Sequence, residues 1–497
     1  MTAEQLDLVL AAGSLILLVA VVAVRLSTRV GLPSLLFYLG IGLLVGESGL
    51  GVKFDNAGLA QLLGLTALAV ILAEGGLTTR WSVVRPAIGF AAVLSTVGVA
   101  VSVGATACIA RLALDTDWRT SLLIGAVVSS TDAAAVFSVL RRLPLRGRLT
   151  AALEAESGFN DAPTVILVSL VVSDSWDSAS PLGVLGLIGY ELVAGALIGL
   201  AVGRVGRELL ARGALPAAGL YPLATMALAL LSYAVAGLAH ASGFLAVYLA
   251  GLLLGNARLP HRRAVLGFAE GLAWLAQIGL FVLLGLLASP GRLPGAVLPA
   301  LAVGTGLLLL SRPLSVVLSA LPFRLPWREQ AFLSWAGLRG AVPIVLATIP
   351  LTERLPSGER VFDIVFVLVV VFTLVQAPTL PWVARRLGVA DTEAAAELEV
   401  EVAPLGDLRA DLIQVAIPPG SRLAGTYLDE LRLPPGAAVS LVARGDMTVV
   451  PDRNTRLATG DQLVIVTTAT AREATERRLR AVSRAGRLAR WLGEDGA

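Results

Sequence analysis

Six ionisable side chains lie inside apolar stretches of this sequence, and they are the residues whose types could do chemistry. A charged group at the centre of a bilayer costs about 2.5–3.5 kcal/mol unless it is paired or faces water, so each is a candidate functional residue. Glu74 and Glu154 lie near the ends of their stretches, where a side chain can reach the membrane surface. The four candidates for a buried site are therefore Asp132, Glu156, Asp161 and Arg339.

The stretch ESGFND at 156–161 carries four oxygen-bearing side chains on one predicted helix. Glu156 and Asn160 are four residues apart, and so are Ser157 and Asp161, which places the two pairs on adjacent strips of the helix. The sequence therefore predicts a helix that presents a concentrated set of oxygen atoms within about one and a half turns.

A second oxygen-rich segment, SSTDAAAV at 129–136, includes Thr131 and Asp132 and is flanked by small residues that allow close helix approach. Hydroxyl-bearing and β-branched residues beside an aspartate favour local unwinding, which would free backbone carbonyl oxygens. Carboxylate, hydroxyl and carbonyl oxygens suit hard cations such as sodium and potassium. We expect this segment and the helix at 156–161 to form one cation site.

The segment SWAGLRGAVPIVLA at 334–347 places Arg339 among glycines and shortly before a proline, a pattern that predicts a second broken helix lining a cavity. A buried arginine needs a counter-charge, and the sequence predicts that Glu156 supplies it. Asp161 and Asp132 would then remain unpaired. A desolvated aspartate can hold a proton near neutral pH or exchange it for a cation, and competition of these two ligands for one carboxylate is the minimum requirement for antiport.

The elements that position these residues follow from composition. The chain has 497 residues, of which 56% are hydrophobic and 15% charged, and its mean hydropathy is +0.80. These values predict an all-α polytopic membrane protein, in which we count about thirteen apolar segments of spanning length. Every second connection carries arginines, which predicts an extracytoplasmic N-terminus and a cytoplasmic C-terminus. The single cysteine, Cys108, excludes an internal disulfide.

The composition changes after the apolar segments, which predicts a separate cytoplasmic part. We divide the chain into a transmembrane domain at 1–388, an acidic linker at 389–407, a small α+β domain at 408–482 and a basic tail at 483–497. The α+β assignment rests on short β-rich runs separated by turn signals. For the tail, a solvated helix end is favoured over contact with the anionic membrane surface.

Three segments together resemble the bacterial monovalent cation/proton antiporter family, especially its potassium/proton branch: SSTDAAAVF (129–137), ESGFNDAPTVIL (156–167) and SWAGLRGAVPIVLA (334–347). Residues 412–468 resemble a TrkA-C (RCK C-terminal) domain. The resemblance implies thirteen spans with inverted repeats before and after the seventh, broken fifth and twelfth helices, and a homodimer in the bacterial inner membrane. It implies no cofactor and no enzymatic reaction, only transported K⁺ or Na⁺ and H⁺.

The resemblance also assigns roles to individual residues. Asp161 corresponds to the carboxylate that binds cation and proton in turn, and Asn160 to the asparagine before it. Thr131 would contribute a backbone carbonyl to the metal ion, Asp132 would lie at or beside the ion, and Ser157 would be a side-chain ligand.

The same comparison assigns Glu156 to an ion pair with the arginine of the other broken helix, Arg339. The asparagine at position 160 implies electroneutral exchange, because family members with an aspartate there tend to be electrogenic.

Several alternatives remain open at this stage. The favoured function is exchange of potassium, or of sodium, for protons by alternating access. Less favoured are a cation channel regulated by the TrkA-C-like domain, for which the sequence shows no TVGYG-like filter, a sodium-selective antiporter, a carrier of organic anions, which would need more buried arginines than Arg339, and a sensor that transports nothing. Expected partners are the lipid bilayer, a second copy of the chain, and a nucleotide or small anion on the cytoplasmic domain. Nucleic acid is not expected as a partner; the net charge of +3 is small for this length and by itself says nothing about nucleic-acid binding.

Overall fold

The architecture was analysed in a computed structural model of the whole chain. It describes residues 3–47, 49–140, 143, 145–178, 180–213, 215–257, 259–390, 400–404, 410–418, 420–445, 447–468 and 470–492. The chain forms two compact units, one comprising residues 1–142 and 147–389 and the other residues 143–146 and 390–497. Each unit is described by itself.

The described residues of the first unit form helices joined by loops and breaks, without a strand. Its helices are α1 (Ala3–Val30), α2 (Ser34–Val45), α3 (Ala57–Thr78), α4 (Trp81–Val84), α5 (Ile88–Val93), α6 (Val99–Leu114), α7 (Trp118–Val128), α8 (Ala133–Leu140), α9 (Gly147–Val172), α10 (Pro181–Arg212), α11 (Leu220–Leu238), α12 (Gly243–Gly255), α13 (Arg262–Leu287), α14 (Leu293–Gly306), α15 (Arg312–Ala320), α16 (Trp327–Trp335), α17 (Ala341–Leu346), α18 (Thr348–Thr352) and α19 (Gly358–Leu387).

Membrane spans can be recognised among these helices by length and composition. In the described part of the chain, eight helical stretches are long and apolar enough to cross a bilayer, and four shorter apolar helices accompany them. The predicted all-α polytopic class is therefore confirmed. The count of thirteen spans and the inverted repeats stay predictions.

Two helices are interrupted where the sequence predicts it. Residues 129–132 separate α7 from α8, and residues 336–340 separate α16 from α17; we name them the first break and the second break. Pro343 lies in the first turn of α17, where its missing N–H has no intrahelical acceptor to lose. The hydroxyl-rich and glycine-rich sequences thus end their helices inside the unit, and both predicted breaks are confirmed.

Two further spanning stretches each contain one π-helical turn. The turn Leu94–Gly98 lies between α5 and α6, and the turn Leu307–Ser311 lies between α14 and α15. The stretches touch at Gly98, whose carbonyl oxygen accepts a hydrogen bond of 2.7 Å from the Ser315 hydroxyl. A Cβ at Gly98 would lie 2.9 Å from that hydroxyl oxygen, so the close contact requires a glycine. This contact places α15 beside the centre of the unit.

The second unit contains an antiparallel sheet of five strands in the order β1-β2-β5-β3-β4. The strands and the helix that packs on them are β1 (Val400–Pro404), β2 (Ala410–Ala416), β3 (Ala437–Arg444), β4 (Met447–Val449), β5 (Gln462–Thr468) and α20 (Arg472–Ala485). Alternating residues of β2 and β5 face a core that also contains Leu479 and Val482 of α20. The predicted α+β class is confirmed.

The structure differs from the predicted limits of the linker and of the tail. Strand β1 falls within the linker at 389–407, whose residues 391–399 and 405–407 lie outside the described part of the chain. The tail at 483–497 begins inside α20 and continues as a 3₁₀ helix at Gly486–Leu492, while residues 493–497 are not described. The domain limits otherwise stay a prediction.

An ion pair between a half-exposed arginine and a buried aspartate stabilises the second unit. The Arg444 guanidinium donates two hydrogen bonds of 2.7 Å to the Asp461 carboxylate, which is fully buried. The Ala458 N–H donates a third, at 2.8 Å. The hydrogen bonds from Arg444 hold the pKa of Asp461 below its ordinary value, so this carboxylate stays ionised although it is enclosed.

Candidate functional site

The two breaks cross each other in the first unit, and each satisfies backbone groups that the other leaves without helical partners. The Asp132 N–H donates a hydrogen bond of 2.8 Å to the carbonyl of Leu338. In the opposite direction, Arg339 donates to the carbonyls of Ser129, at 3.1 Å, and Ser130, at 2.7 Å. Unwound backbone inside a membrane is tolerated only where such partners exist, so the crossing holds both breaks open.

Helix α9 presents its carboxylate and amide to the first break. The Ser130 hydroxyl donates a hydrogen bond of 2.5 Å to the Asp161 carboxylate, and the Asn160 amide donates one of 2.6 Å to the Thr131 hydroxyl. Asp161 is 5% exposed and Asn160 is 1% exposed. The structure therefore brings together the two segments that the sequence predicts to share a site.

One oxygen at this site has no partner within the described structure. The side-chain carbonyl oxygen of Asn160 is buried and accepts no hydrogen bond there. Pro163, inside α9, lacks the N–H that would bond to the carbonyl of Phe159 one turn earlier. Buried acceptors without donors are rare in folded proteins, and oxygen atoms beside a carboxylate are the ligands that a hard monovalent cation takes.

Asp132 lies at the start of α8 and faces both the site and the second break. Its carboxylate accepts a hydrogen bond of 3.2 Å from the Ala135 N–H, which caps α8. It packs against Gly340, where a Cβ would lie 2.7 Å from the Asp132 Cγ. Asp132 directly follows Ser130 and Thr131, whose side chains bond to Asp161 and Asn160. Ser157 is half-buried on the same helix as Asp161.

Glu156 is paired with an arginine, but the predicted partner is wrong. Arg312 of α15 donates bidentate hydrogen bonds of 2.5 and 2.8 Å to the Glu156 carboxylate, and both side chains are almost fully buried. Thr131 donates a further hydrogen bond of 3.2 Å to the same carboxylate. Arg339 instead binds the carbonyls of the first break, because unwinding creates acceptors directly beside it.

Sequence reasoning missed Arg312, although a signal was available. The residue lies inside an apolar run at about 296–320, which is one of the thirteen predicted spans. An arginine within such a run is costly without a partner. Its position alone was therefore enough to make Arg312 a candidate. Three charges, Glu156, Arg312 and Arg339, thus form one buried cluster behind the site.

A cavity of about 500 Å³ reaches Asp132 from the end of the unit at which α3 and α8 terminate. Its lining includes the carboxyl-bearing residues Glu74 and Glu270. The sequence predicts a helix-end position for Glu74. Glu270 lies only about two turns into α13 and is not among the residues predicted from the sequence. The cavity reaches one carboxylate of the candidate site, that of Asp132.

Comparisons with known proteins agree with this architecture. The family described as sodium/hydrogen exchanger, transmembrane, matches residues 15–386, and the TrkA-C domain matches residues 412–480. The chain is 41% identical over 388 residues to the K(+)/H(+) antiporter NhaP of Alkalimonas amylolytica, an alignment that covers 77% of this chain and 67% of that protein. It is 37% identical over 474 residues to the K(+)/H(+) antiporter NhaP2 of Shewanella oneidensis, covering 90% of this chain and 82% of the relative.

A solved structure has a similar fold. The sodium proton antiporter MjNhaP1 from Methanocaldococcus jannaschii superimposes with a TM-score of 0.66 at 22% sequence identity, over 75% of this chain and 100% of that chain. At this identity the likeness establishes the fold alone.

Proposed function

Because the chain belongs to the sodium/hydrogen exchanger family and is a cation/proton antiporter, we propose that it exchanges potassium for protons at the Asp161 site by alternating access. Potassium is favoured over sodium because the two relatives described above by sequence identity are both named K(+)/H(+) antiporters. Such transport moves ions without making or breaking covalent bonds, so no enzymatic reaction is proposed. The physiological role would be pH and cation homeostasis.

The observation that carries the proposal is the environment of Asp161. Its carboxylate is buried, is bonded to the hydroxyl of Ser130, and adjoins the unpaired carbonyl oxygen of Asn160. A carboxylate in such a place can be neutralised by a proton or by a cation, but not by both at once. We propose that Thr131, through its backbone carbonyl, and Ser157 and Asp132, through their side chains, complete the cation site.

The charges around the site support electroneutral exchange. Arg312 and Arg339 contribute two positive charges and Glu156 one negative charge, and with Asp132 taken as ionised at the cavity the sum is zero before Asp161 is counted. Protonated Asp161 keeps the sum at zero, and so does ionised Asp161 with one monovalent cation. The empty ionised site carries one net negative charge. Because low-dielectric surroundings penalise net charge, the loaded forms are the ones suited to cross between the two sides.

We propose that the cavity at Asp132 is the cytoplasmic entrance of the site. The connections near that end of the unit include arginine-bearing segments, for which the positive-inside rule predicts a cytoplasmic location. Carboxylates at Glu74 and Glu270 would raise the local concentration of cations. The protein would then lie in the inner membrane with its N-terminus outside and its C-terminus in the cytoplasm. Glu270→Gln should raise the cation KM about two- to threefold at low ionic strength and less at high salt.

The second unit is proposed to be regulatory and to bind a nucleotide or small anion. A groove of about 1440 Å³ on this unit is lined by four arginines, by an exposed tryptophan and by two carboxyl-bearing residues, one of which, Glu430, accepts a hydrogen bond from Arg487; the residues are Arg432, Arg477, Arg478, Arg487, Trp491, Asp429 and Glu430. Guanidinium groups bind phosphate oxygens and the indole can stack on a base. Adding ATP or inorganic phosphate should raise the melting temperature of the wild-type protein, and Arg432→Ala combined with Arg477→Ala should abolish that rise.

A homodimer is proposed from the family resemblance. Cross-linking of the purified protein in lipid nanodiscs, followed by mass measurement, would test it. A population that stays monomeric at every protein concentration would contradict the proposal.

The central test is exchange in proteoliposomes loaded with potassium, sodium, lithium or rubidium. Proton release should depend on the external cation, be largest for potassium, and produce no signal from a potential-sensitive dye. Asp161→Asn should abolish this release, whereas Asp115→Asn, which alters a fully exposed aspartate, should not. Cation flux that is purely electrogenic and indifferent to a pH gradient would instead identify a channel.

A further inference from the structure

An arginine far from the ion site joins the two helices that build it. Arg119, the second residue of α7, extends over the end of α9. Its Nε donates a hydrogen bond of 2.8 Å to the carbonyl of Val171, and its Nη2 donates to the carbonyls of Val172, at 2.8 Å, and Ser173, at 3.1 Å. One side chain therefore satisfies three consecutive carbonyls.

These carbonyls belong to the part of a helix that most needs such a partner. The last four carbonyls of an α-helix have no intrahelical donor and carry the negative end of the helix dipole. A guanidinium presents several N–H groups in a fixed fork and keeps its charge at all physiological pH values. The group is also half-buried, which lessens screening by solvent.

The helix from which Arg119 projects has a fixed start. Asp117 caps α7 by accepting a hydrogen bond of 3.0 Å from the Thr120 N–H, so the residues on either side of Arg119 are held in place. Arg119 is therefore anchored at its backbone by the α7 cap and at its guanidinium by α9. We name this arrangement the Arg119 clamp.

The Arg119 clamp and the ion site lie at opposite ends of α7. The helix contains 11 residues, which corresponds to a length of about 16 Å. At the far end, the Ser130 hydroxyl of the first break is bonded to Asp161 of α9. Helix α7 is thus joined to α9 near both of its own ends. At one end Arg119 binds the last carbonyls of α9, and at the other Ser130 is bonded to Asp161 in the middle of α9.

We infer that Arg119 is a positioning residue that fixes α7 on α9, so that the two oxygen-bearing segments of the ion site move as one body during exchange. The inference rests on the proposed site at Asp161. Without the Arg119 clamp, α7 can shift along α9, and the Ser130 and Thr131 oxygens lose their fixed distance from Asp161. A less preorganised site binds its ion more weakly, although the residues that contact the ion are unchanged.

Substitution of Arg119 separates positioning from simple stabilisation. Arg119→Gln should raise the KM for the cation by roughly tenfold, because a distant mutation that misplaces the groups of a site by about 1 Å can cost up to about 100-fold, with little change in maximal rate per folded protein. Arg119→Lys, which keeps the charge but not the fork, should give an intermediate KM. The matched control is Arg111→Gln. Arg111 also donates a hydrogen bond to a backbone carbonyl, but that carbonyl belongs to Thr116 and not to α9. Loss of folded protein with an unchanged KM would overturn the inference.

A cross-link tests the rigid body directly. Since Cys108 is the only cysteine, a Cys108→Ser protein provides a clean background for Arg119→Cys together with Ser173→Cys. Bridging the two thiols with a short bifunctional reagent should leave exchange intact and return the KM towards that of the parent. If bridging stops exchange while the unbridged protein still exchanges, the two helices move relative to each other and the inference is wrong. If the Cys108→Ser parent itself shows no cation-dependent proton release, the proposed function fails instead.

Discussion

Removal of the Arg312 guanidinium should destabilise the protein strongly, because it leaves the Glu156 carboxylate buried without its bidentate partner. The two side chains are 5% and 3% exposed and their closest contact is 2.5 Å. Breaking a buried pair of this kind costs about 3–5 kcal/mol. Arg312→Ala should therefore cost about 4 kcal/mol, and adding Glu156→Gln should recover about half of this loss, because the amide no longer carries a charge to desolvate.

The measurement is thermal unfolding of the purified protein in detergent, followed by tryptophan fluorescence at one scan rate. With roughly 2–4 °C per kcal/mol for large domains, Arg312→Ala should melt about 10 °C below wild type. The double variant should lie between the single variant and wild type. Unfolding of membrane proteins is often irreversible, so the order of the melting temperatures, at a fixed scan rate, decides the outcome.

The control uses the arginine that the sequence predicts to be the partner. Arg339→Ala should also destabilise, because two carbonyls of the first break lose their donor, but Glu156→Gln should bring it little recovery. If Glu156→Gln rescues Arg339→Ala and leaves Arg312→Ala unimproved, the assignment of the ion pair to Arg312 is refuted.

Two further predictions concern the second break and the second unit. Gly340→Ala should reduce exchange at least tenfold with the fold retained, because the added methyl group displaces the Asp132 carboxylate. The control is Gly75→Ala, where no atom lies within 4 Å of the added methyl group. This variant should exchange normally in the same assay. Asp461→Asn should make the second unit more sensitive to proteolysis at neutral pH. Because the Arg444 hydrogen bonds hold the pKa of Asp461 below its ordinary value, the contribution is complete above about pH 4 and is lost as the pH falls further; equal sensitivity of variant and wild type at pH 7 would contradict the argument.

Features set by neighbouring residues could be predicted from the sequence. Both breaks follow from local composition, since glycine, proline and hydroxyl-bearing residues weaken a helix wherever they lie. A polar group that is buried without a hydrogen-bond partner costs free energy, so buried polar segments tend to pack against each other. This favours the proximity of Asn160 and Asp161 to the first break. These inferences need no knowledge of distant packing.

Features set by distant packing could not be predicted in the same way. Glu156 and Arg312 are 156 residues apart in the chain, and either buried arginine could have been its partner on chemical grounds. The position of α15 decides between them, and that position depends on the contact at Gly98. Strand β1 is a different case. The alternation of valine and glutamate in VEVAP at 400–404 indicates a strand, but the acidic, alanine-rich residues before it favour a linker, and the predicted linker therefore includes the strand.

The crossing of the two breaks has a consequence for the order in which the protein can mature. Arg339 is 209 residues later in the chain than Ser130, whose carbonyl it binds. When α7 and α8 leave the ribosome, the donor for that carbonyl has not yet been synthesised. The first break therefore lacks this hydrogen bond until Arg339 has been added to the chain. The proposed ion site therefore cannot be completed before residue 339 has been synthesised, and chains truncated before that residue lack this donor.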